Sequence, residues 1–566
     1  MKRRGVCLIE PYLVVCIILL TGPQPSAKLQ TWTAACTPAE PASQAVSAAW
    51  EYPEIADPSV IETLVNVYHN VVHPILLYFH WPTFLASIRS KRYMHDRTFY
   101  VLTMAVCATA STRIHNSASI GTPPGVSRAA APSSKAFYQA CLDALPSLIM
   151  ETADFDLMRT EALLGMLCLE YNDIRGCYAH QHRYLAMCSE MGFHDEKRWP
   201  PNLSEIDIQE RRRLFWQQYH FDIYLATIFE SPIRHRSETQ CYVLYPAEVF
   251  DDEDISASEV TIRPPEEYVS FIRGWNFVTD LYRILERVNE RTRTRQLKDG
   301  HPGGPVSQLF ARTSSPNDSP SAKDVLALAQ ELYDKLPPMF KQANPISGNL
   351  REDRYGYQSA NIVITMTTVE IVLAGCEEQN VSKLCAMAGE LLDQLSTIPT
   401  AYIQSTSSAM IHHLAGVGHV LGRVVNAPLS QWRYIQIRST LLAMADLVSS
   451  LETAIRSTVG IAPRLRDHVK RIDCYMADAA RTGKDEHILH SALPPDSSSN
   501  TSLNHIQGHG QDTACEKGSN LPASSKPPLD PAMPPQSSDR SISTVDVMDW
   551  PFDFGQGPVF NFLGFD

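Results

Sequence analysis

The stretch SEIDIQERRRLFWQQYHFDIYLATIFESP, residues 204–232, sets three consecutive arginines against one of the most apolar helical segments of the chain. Leu214, Phe221, Leu225 and Ile228 form one stripe, and Trp216, Tyr219, Ile223 and Ala226 form another. Apolar residues on two faces place this helix between other layers rather than at the surface. Ser204 stands where an N-cap is needed, with Asp207 three positions on. Arg211, Arg212 and Arg213 then fall in the first turns, near a solvent boundary, with Glu205, Asp207 and Glu210 as candidate mates. The positive pole of a helix start disfavours cations, so carboxylates or chain-end carbonyls must hold them, and the block is expected to be an internal clamp with Asp222 as its nearest candidate co-worker, directly or through a neighbouring helix. Asp222, on the apolar part of the same helix, would cost several kcal/mol if buried alone, so it needs a cationic or hydrogen-bonding partner on another helix. Loss of Arg212 or Asp222 is then expected to cost on the order of 2–4 kcal/mol each.

The same helical periodicity runs outward from there. In SVIETLVNVYHNVVHPILLYFHWPTFLASI, Ile61, Leu64, Val65, Tyr68, Val71 and Val72 recur at three- and four-residue steps, broken into turns by Pro74 and Pro82. RTFYVLTMAVCATASTR is apolar nearly all round and belongs in an interior. Further helices follow in KAFYQACLDALPSLI, in DLMRTEALLGMLCLEYND and in RGCYAHQHRYLAMCSEMGF, the last stopped by Gly192. Beyond the quoted stretch, helices are expected over 264–298, 321–341, 352–379, 381–397, 401–425 and 430–481. Alternating strand patterns and fixed-period repeats are lacking, so the fold class is all-α, a large helical domain.

Composition bounds the function classes. The 566 residues carry a formal charge of −13, which argues against the whole surface being a nucleic-acid or anionic-membrane binder. The 13 cysteines include no C-x-x-C pair, so reduced, mostly buried thiols are expected rather than a zinc knuckle or a disulfide scaffold. Residues 1–55 combine an apolar stretch, Tyr12 to Leu20, with a Pro/Ala/Ser-rich tether. The apolar stretch has signal-peptide length but is preceded by Glu10 and Pro11, and it is too short to span a bilayer. Were it a secretion signal, Asn202, Asn317, Asn380 and Asn500 would be glycosylation acceptors. The helical body is assigned to 56–482, followed by a Ser/Pro/Asn-rich linker over 483–542 that cannot repay its ordering entropy.

The chain ends, over 543–566, in STVDVMDWPFDFGQGPVFNFLGFD, where acids alternate with large apolar residues. Asp549, Trp550, Phe552, Asp553, Phe554, Phe562 and Phe565 are the residues expected to present aromatics to a partner groove, as disordered activation segments do. The alternative is a tail strapped onto the body's own core, since aromatics gain much by burial.

No catalytic or metal site is read from the sequence. His69 and His73 lie one turn apart but Pro74 follows at once, His180 and His182 point to different sides, and His412 and His413 diverge. The glycines match neither a dinucleotide fingerprint nor a phosphate loop, and no nucleophile elbow occurs. ERTRTRQLK, with Arg291, Arg293, Arg295 and Lys298, suits an anion site, an import signal or, most commonly, a solvated helix end.

Taken together, the motifs over 157–253 resemble the middle homology region of the fungal-specific transcription factors, the regulatory domain that accompanies a six-cysteine binuclear zinc cluster. SEMGFHDE matches the family's helix ending in Gly and a hydrophobic-His-acid step, and ERRRLFW its Glu, triple-Arg, aromatic, Trp block. The family's aspartate after the Trp falls on Asp222 and its proline-then-acidic loop on YPAEVFDDED; FHWPTFL and LTMAVCATAS look like the start of the same domain. The structural residues carried over are Glu210, Arg211, Arg212, Arg213, Trp216, Asp222, Pro232 and Pro246. One step departs: where many relatives have Gly-Arg-Pro, this chain has Glu230-Ser231-Pro232, so any contact of that arginine is missing or replaced.

The resemblance implies a nuclear transcription regulator, controlling a metabolic or secondary-metabolite pathway and recruiting the transcription machinery or co-activators through its tail. It is compatible with a homodimer and with a small-molecule effector. Cys7, Cys16 and Cys36 cannot build the zinc cluster, so no cofactor is expected in this chain, zinc only with a missing head, and DNA contact only through that head or a partner. Either the sequence starts late, with a misread N-terminus, or the protein is a headless regulator; the first is favoured because a signal-like stretch on a nuclear-type domain is inconsistent across levels. A helical binding protein of the secretory route or membrane is the alternative reading, and an enzyme the third.

Overall fold

Side-chain caps write the helix starts. Asp57 accepts the Ser59 amide ahead of α1 (Pro58–Val67), Asp96 those of Thr98 and Phe99 ahead of α3 (Arg97–His115), and Asp154 that of Asp156 ahead of α5 (Phe155–Glu170). Between them lie α2 (Trp81–Arg89) and α4 (Ser134–Ala144). These belong to a computed structural model that describes residues 50–116, 133–146, 154–264, 268–300, 321–377, 381–406, 408–423, 429–455 and 460–491. The chain divides into units 1–51 and 52–566, and all the helices lie in the second. The apolar N-terminal stretch, most of the expected linker and the acidic-aromatic tail, Asp549, Trp550, Phe552, Asp553, Phe554, Phe562 and Phe565 included, lie outside the described residues.

The fold is all-α. α6 (Ile174–Glu190) ends at Gly192, whose φ of 59° lets the Phe193 amide reach back to the Cys188 carbonyl at 2.9 Å, the helix stop expected there. α7 (Glu205–Ile228) and α8 (Phe271–Gly300) pack together, and α9 (Ala322–Asp334) ends just before Pro337-Pro338, where the missing N–H forbids continuation. The C-terminal part is α10 (Leu350–Glu377), α11 (Val381–Thr397), α12 (Thr400–Thr406), α13 (Ser408–Arg423), α14 (Gln431–Ala454) and α15 (Ile461–Ser491). Among the described residues there is no strand, only isolated bridges at Asp195–Tyr242 and Ile255–Val260.

Three expectations need correction. Residues 430–481 are two helices, because α14 ends at Ile455 and Gly460, at φ 70°, precedes α15. Residues 401–425 likewise divide into α12 and α13. Pro82 starts a helix rather than breaking one: it sits in the first turn of α2, where its absent N–H has no bond to make.

Packing follows the apolar patterns. α3, buried from Phe99 to Ile114, lies under α1, α4 and α5, while α5 pairs with α6. A second core joins α10 to α15 through residues such as Ile371, Leu391, Leu414, Leu441 and Leu465. α10 packs on α8, and α13 on α5 and α7, so the quoted helix α7 is enclosed by both sets. The described cysteines are free; Cys107, Cys141, Cys168, Cys177, Cys188 and Cys385 are buried, and burial pushes the thiols of Cys107 and Cys177 up. Among the described residues no helix is long and apolar enough to cross a membrane.

Candidate functional site

Successive residues on a helix point about 100° apart, so four neighbouring charges cannot share one partner. α7 shows the consequence. It begins with a reciprocal capping box, the Asp207 amide donating to Ser204 Oγ and the Ser204 amide to Asp207 Oδ2, and the next turn fans Glu210, Arg211, Arg212 and Arg213 toward different elements.

Glu210 accepts the backbone amide of His80 at 2.7 Å and pairs with Arg159 of α5 at 3.1 Å. Arg159 also pairs with Asp156 and lies over the rings of Phe79 and Phe155. Arg211 stacks 4.5 Å above Phe155 and donates to the Asp207 carbonyl at 3.2 Å; burial lowers its guanidinium pKa below the usual value. Arg212 makes a two-pronged contact with Glu196, at 2.7 and 2.9 Å, and Glu196 Oε1 also takes the Leu244 amide. Arg213 is 1% exposed. Its Nη1 donates to the Phe79 carbonyl at 3.2 Å and its Nη2 meets Asp252 Oδ1 at 2.7 Å. Burial opposes ionisation of Asp252, but Arg213 and then His73 outweigh it and hold the carboxyl well below the ordinary range.

These contacts converge on residues 78–81, the entry to α2. His80 caps that helix without using its own side chain. Its amide goes to Glu210 and that of Trp81 to Asp252 Oδ2 at 2.8 Å, so two distant carboxylates satisfy orphan donors at a positive helix end. The hub thereby ties α7 to α2, α5, the turn at Glu196 and the acidic loop at Asp252. Only the Asp207 contact is local; Glu196, Asp252, Arg159 and His80 were not foreseen as partners, although the acid run DDED at 251–254 was visible.

Asp222 corrects two expectations. It is 0% exposed yet touches none of the arginine block, and its partners lie on no other helix. Its Oδ2 accepts the amides of Arg234 and His235 at 2.7 and 2.8 Å, and its Oδ1 the Arg234 Nη1 at 3.1 Å, which fastens the chain after Pro232 back onto α7. Burial lowers the His235 pKa, but Asp222, 3.5 Å from Nδ1, and then Cys188 outweigh it and bring the imidazole to about 9. Desolvation likewise pushes the Asp222 carboxyl up, and His235 with the two amides turns the balance downward. Trp216 donates its Nε1 to the Leu244 carbonyl at 2.9 Å, and buried Pro246 gives its carbonyl to Asn276.

The departure from Gly-Arg-Pro has a geometric result. Glu230 adopts φ 54°, a left-handed position that suits glycine, and exposed Pro232 follows. Arg293, expected in a basic cluster, instead sends Nη2 to the carbonyls of Ala226 and Ser231 at the end of α7. The side chains of Arg295 and Lys298 lie outside the described residues.

His180 and His182 separate, whereas His69 and His73 stay together, with ring centroids 5.6 Å apart and both against Trp81. His180 bonds Glu161 at 2.6 Å while His182 stacks near Tyr178. His69 stacks on Trp81 with ring centroids 4.1 Å apart, and His73 lies 3.8 Å from Asp252. Among the described residues no group of three or more His, Cys, Asp or Glu is arranged to hold a metal.

Residues 65–341 match the family model described as the fungal specific transcription factor domain, a span that encloses the whole hub. No curated protein and no solved structure matches the chain.

Proposed function

Residues 65–341 form a fungal specific transcription factor domain, and from that premise we propose that the chain is a nuclear transcription regulator whose helical body, residues 56–482, governs a recruiting tail at 543–566. The family match is the observation that carries this reading. The arginine block supports a regulatory rather than a phosphate-gripping role for the body, because its guanidiniums are engaged with carboxylates, carbonyls and an aromatic ring. DNA is then reached through a zinc-cluster segment or a partner protein. The tail supplies alternating acid and aromatic side chains to co-activators or the transcription machinery, and the target genes belong to a metabolic or secondary-metabolite pathway.

The test is a fusion of residues 543–566 to a heterologous DNA-binding module with a reporter gene. Activation is expected, and it should fall when Trp550, Phe552 and Phe554 are replaced by alanine. A silent fusion removes the activation role from the tail. Imaging of the tagged full chain tests the nuclear address, and glycosylation at Asn202 or Asn380 would overturn it in favour of the secretory route.

A further inference from the structure

Where α7 and α8 meet α10 and α13, a cleft of about 90 Å³ opens, flanked by the turn after α1 and by Met166 of α5. We propose that this cleft binds a small uncharged molecule that carries a planar ring and a carboxamide-like edge. The transcriptional reading is not needed for it, since the lining residues alone carry it.

The walls carry no formal charge. Among the described residues that line the cleft, none is Asp, Glu, Lys or Arg. Its two histidines, His220 and His413, stay uncharged because burial brings their pKa values down to about 3 and about 4. An ion entering such a site would leave its water without meeting a partner of opposite sign, which costs far more than desolvating a neutral group. The ligand is therefore neutral.

Stacking selects a ring. His220 is tilted against Trp275 at 4.9 Å and stacked on Tyr282 at 4.8 Å, while Tyr224 stands 6.2 Å from His413. With Phe221, these side chains offer ring faces and edges to a further ring, which aromatic pairs favour beyond the area they bury. Leu76 and Ile364 complete the apolar wall. A closed cavity of roughly 150 Å³ holds benzene, so this smaller cleft takes part of a ring and leaves the rest at its open side.

Two side-chain amides set the polar edge. Gln217, 9% exposed, commits its Oε1 to Trp275 Nε1 at 3.3 Å, and its Nε2 makes no hydrogen bond among the described residues. Asn361, half-buried on α10, makes none with either atom of its amide among those residues. Both side chains line the cleft, and these atoms keep accessible surface rather than being sealed in. Gln217 thus offers a donor, and Asn361 a donor and an acceptor, which a carboxamide answers with its own carbonyl and N–H. Because Gln217 belongs to α7 and Asn361 to α10, an occupant that bridges them ties the matched family span to the helices beyond it.

The experiment titrates the full-length protein with benzamide, benzoate and benzamidine, planar molecules of nearly one shape with no, negative and positive charge. Calorimetry and thermal unfolding are the readouts. Benzamide should bind at about millimolar concentration and raise Tm, and the two ions should bind at least about tenfold more weakly. Asn361→Leu, which keeps the volume and removes the amide, should weaken benzamide by about three- to tenfold. Ala409→Leu, which fills the cleft from α13, should abolish binding, and the unliganded Tm of each variant shows that it is folded. An ion bound as tightly as benzamide, no binding of benzamide by the parent protein, or benzamide binding indifferent to both variants would overturn the proposal. A silent tail fusion leaves it standing.

Discussion

Arg213→Ala and Arg212→Ala remove neighbouring arginines from one helix turn, yet they should differ in cost by several-fold. Arg213 and Asp252 have side chains only 2% and 13% exposed, at 2.7 Å. Removing the guanidinium leaves the Asp252 carboxylate and the Phe79 carbonyl in a site that water reaches poorly. Breaking a buried pair from one side costs about 3–5 kcal/mol, a large part of the ~5–15 kcal/mol that holds a domain folded. Arg212 and Glu196 are 15% and 22% exposed, and Glu196 keeps the Leu244 amide and gains water once the arginine is gone. That loss should be about 1–2 kcal/mol, below the 2–4 kcal/mol expected from sequence. Urea unfolding of the full chain, followed by tryptophan fluorescence, measures both. A cycle of Arg213→Met and Asp252→Leu separates the pair from its surroundings: the double variant should recover about 2 kcal/mol relative to the sum of these two singles. Equal effects of Arg212→Ala and Arg213→Ala, or strict additivity in the cycle, would refute the reasoning that burial of the pair sets the cost.

Four further outcomes are expected. Asp222→Ala should cost about 3–5 kcal/mol, because two amides, Arg234 and His235 lose one buried acceptor together. The His235 pKa, raised to about 9, makes this contact fully stabilising below the unfolded value near 6.5 and lost as pH rises through 9. The unfolding free energy measured in urea should therefore fall by about 3 kcal/mol between those limits, and a flat profile that matches His235→Gln would count against the pairing. Glu230→Gly should stabilise the protein by about 1 kcal/mol by relieving φ 54°, which a higher Tm would register. Gly274→Ala should destabilise by about 1–3 kcal/mol, because a Cβ there would overlap the Phe340 ring and force α8 away from the turn at 338–340; an unchanged midpoint would show that the ring gives way freely.

Much of the helical scaffold was legible. The interior position of α3 and the two-faced burial of α7 follow from the order of apolar side chains along each segment. The capping box of Ser204 with Asp207 and the stop at Gly192 depend on residues within a turn of each other. The break at Gly460 was missed because the residues on both sides of it keep helical periodicity. Asp222 was foreseen as needing a partner but given the wrong one, since a carboxylate's burial can be read from its neighbours and its mate cannot.

Local order along the chain thus determined that this protein is helical, which faces turn inward and that the guanidinium block needs acids. Periodicity and capping act over a few residues, and each segment carries them by itself. Tertiary structure alone decided which groups answer: the Phe79 carbonyl lies 134 residues from Arg213. Charge attraction is indifferent to sequence distance, so the mate of a buried ion is whichever group the packing of the helices brings within reach.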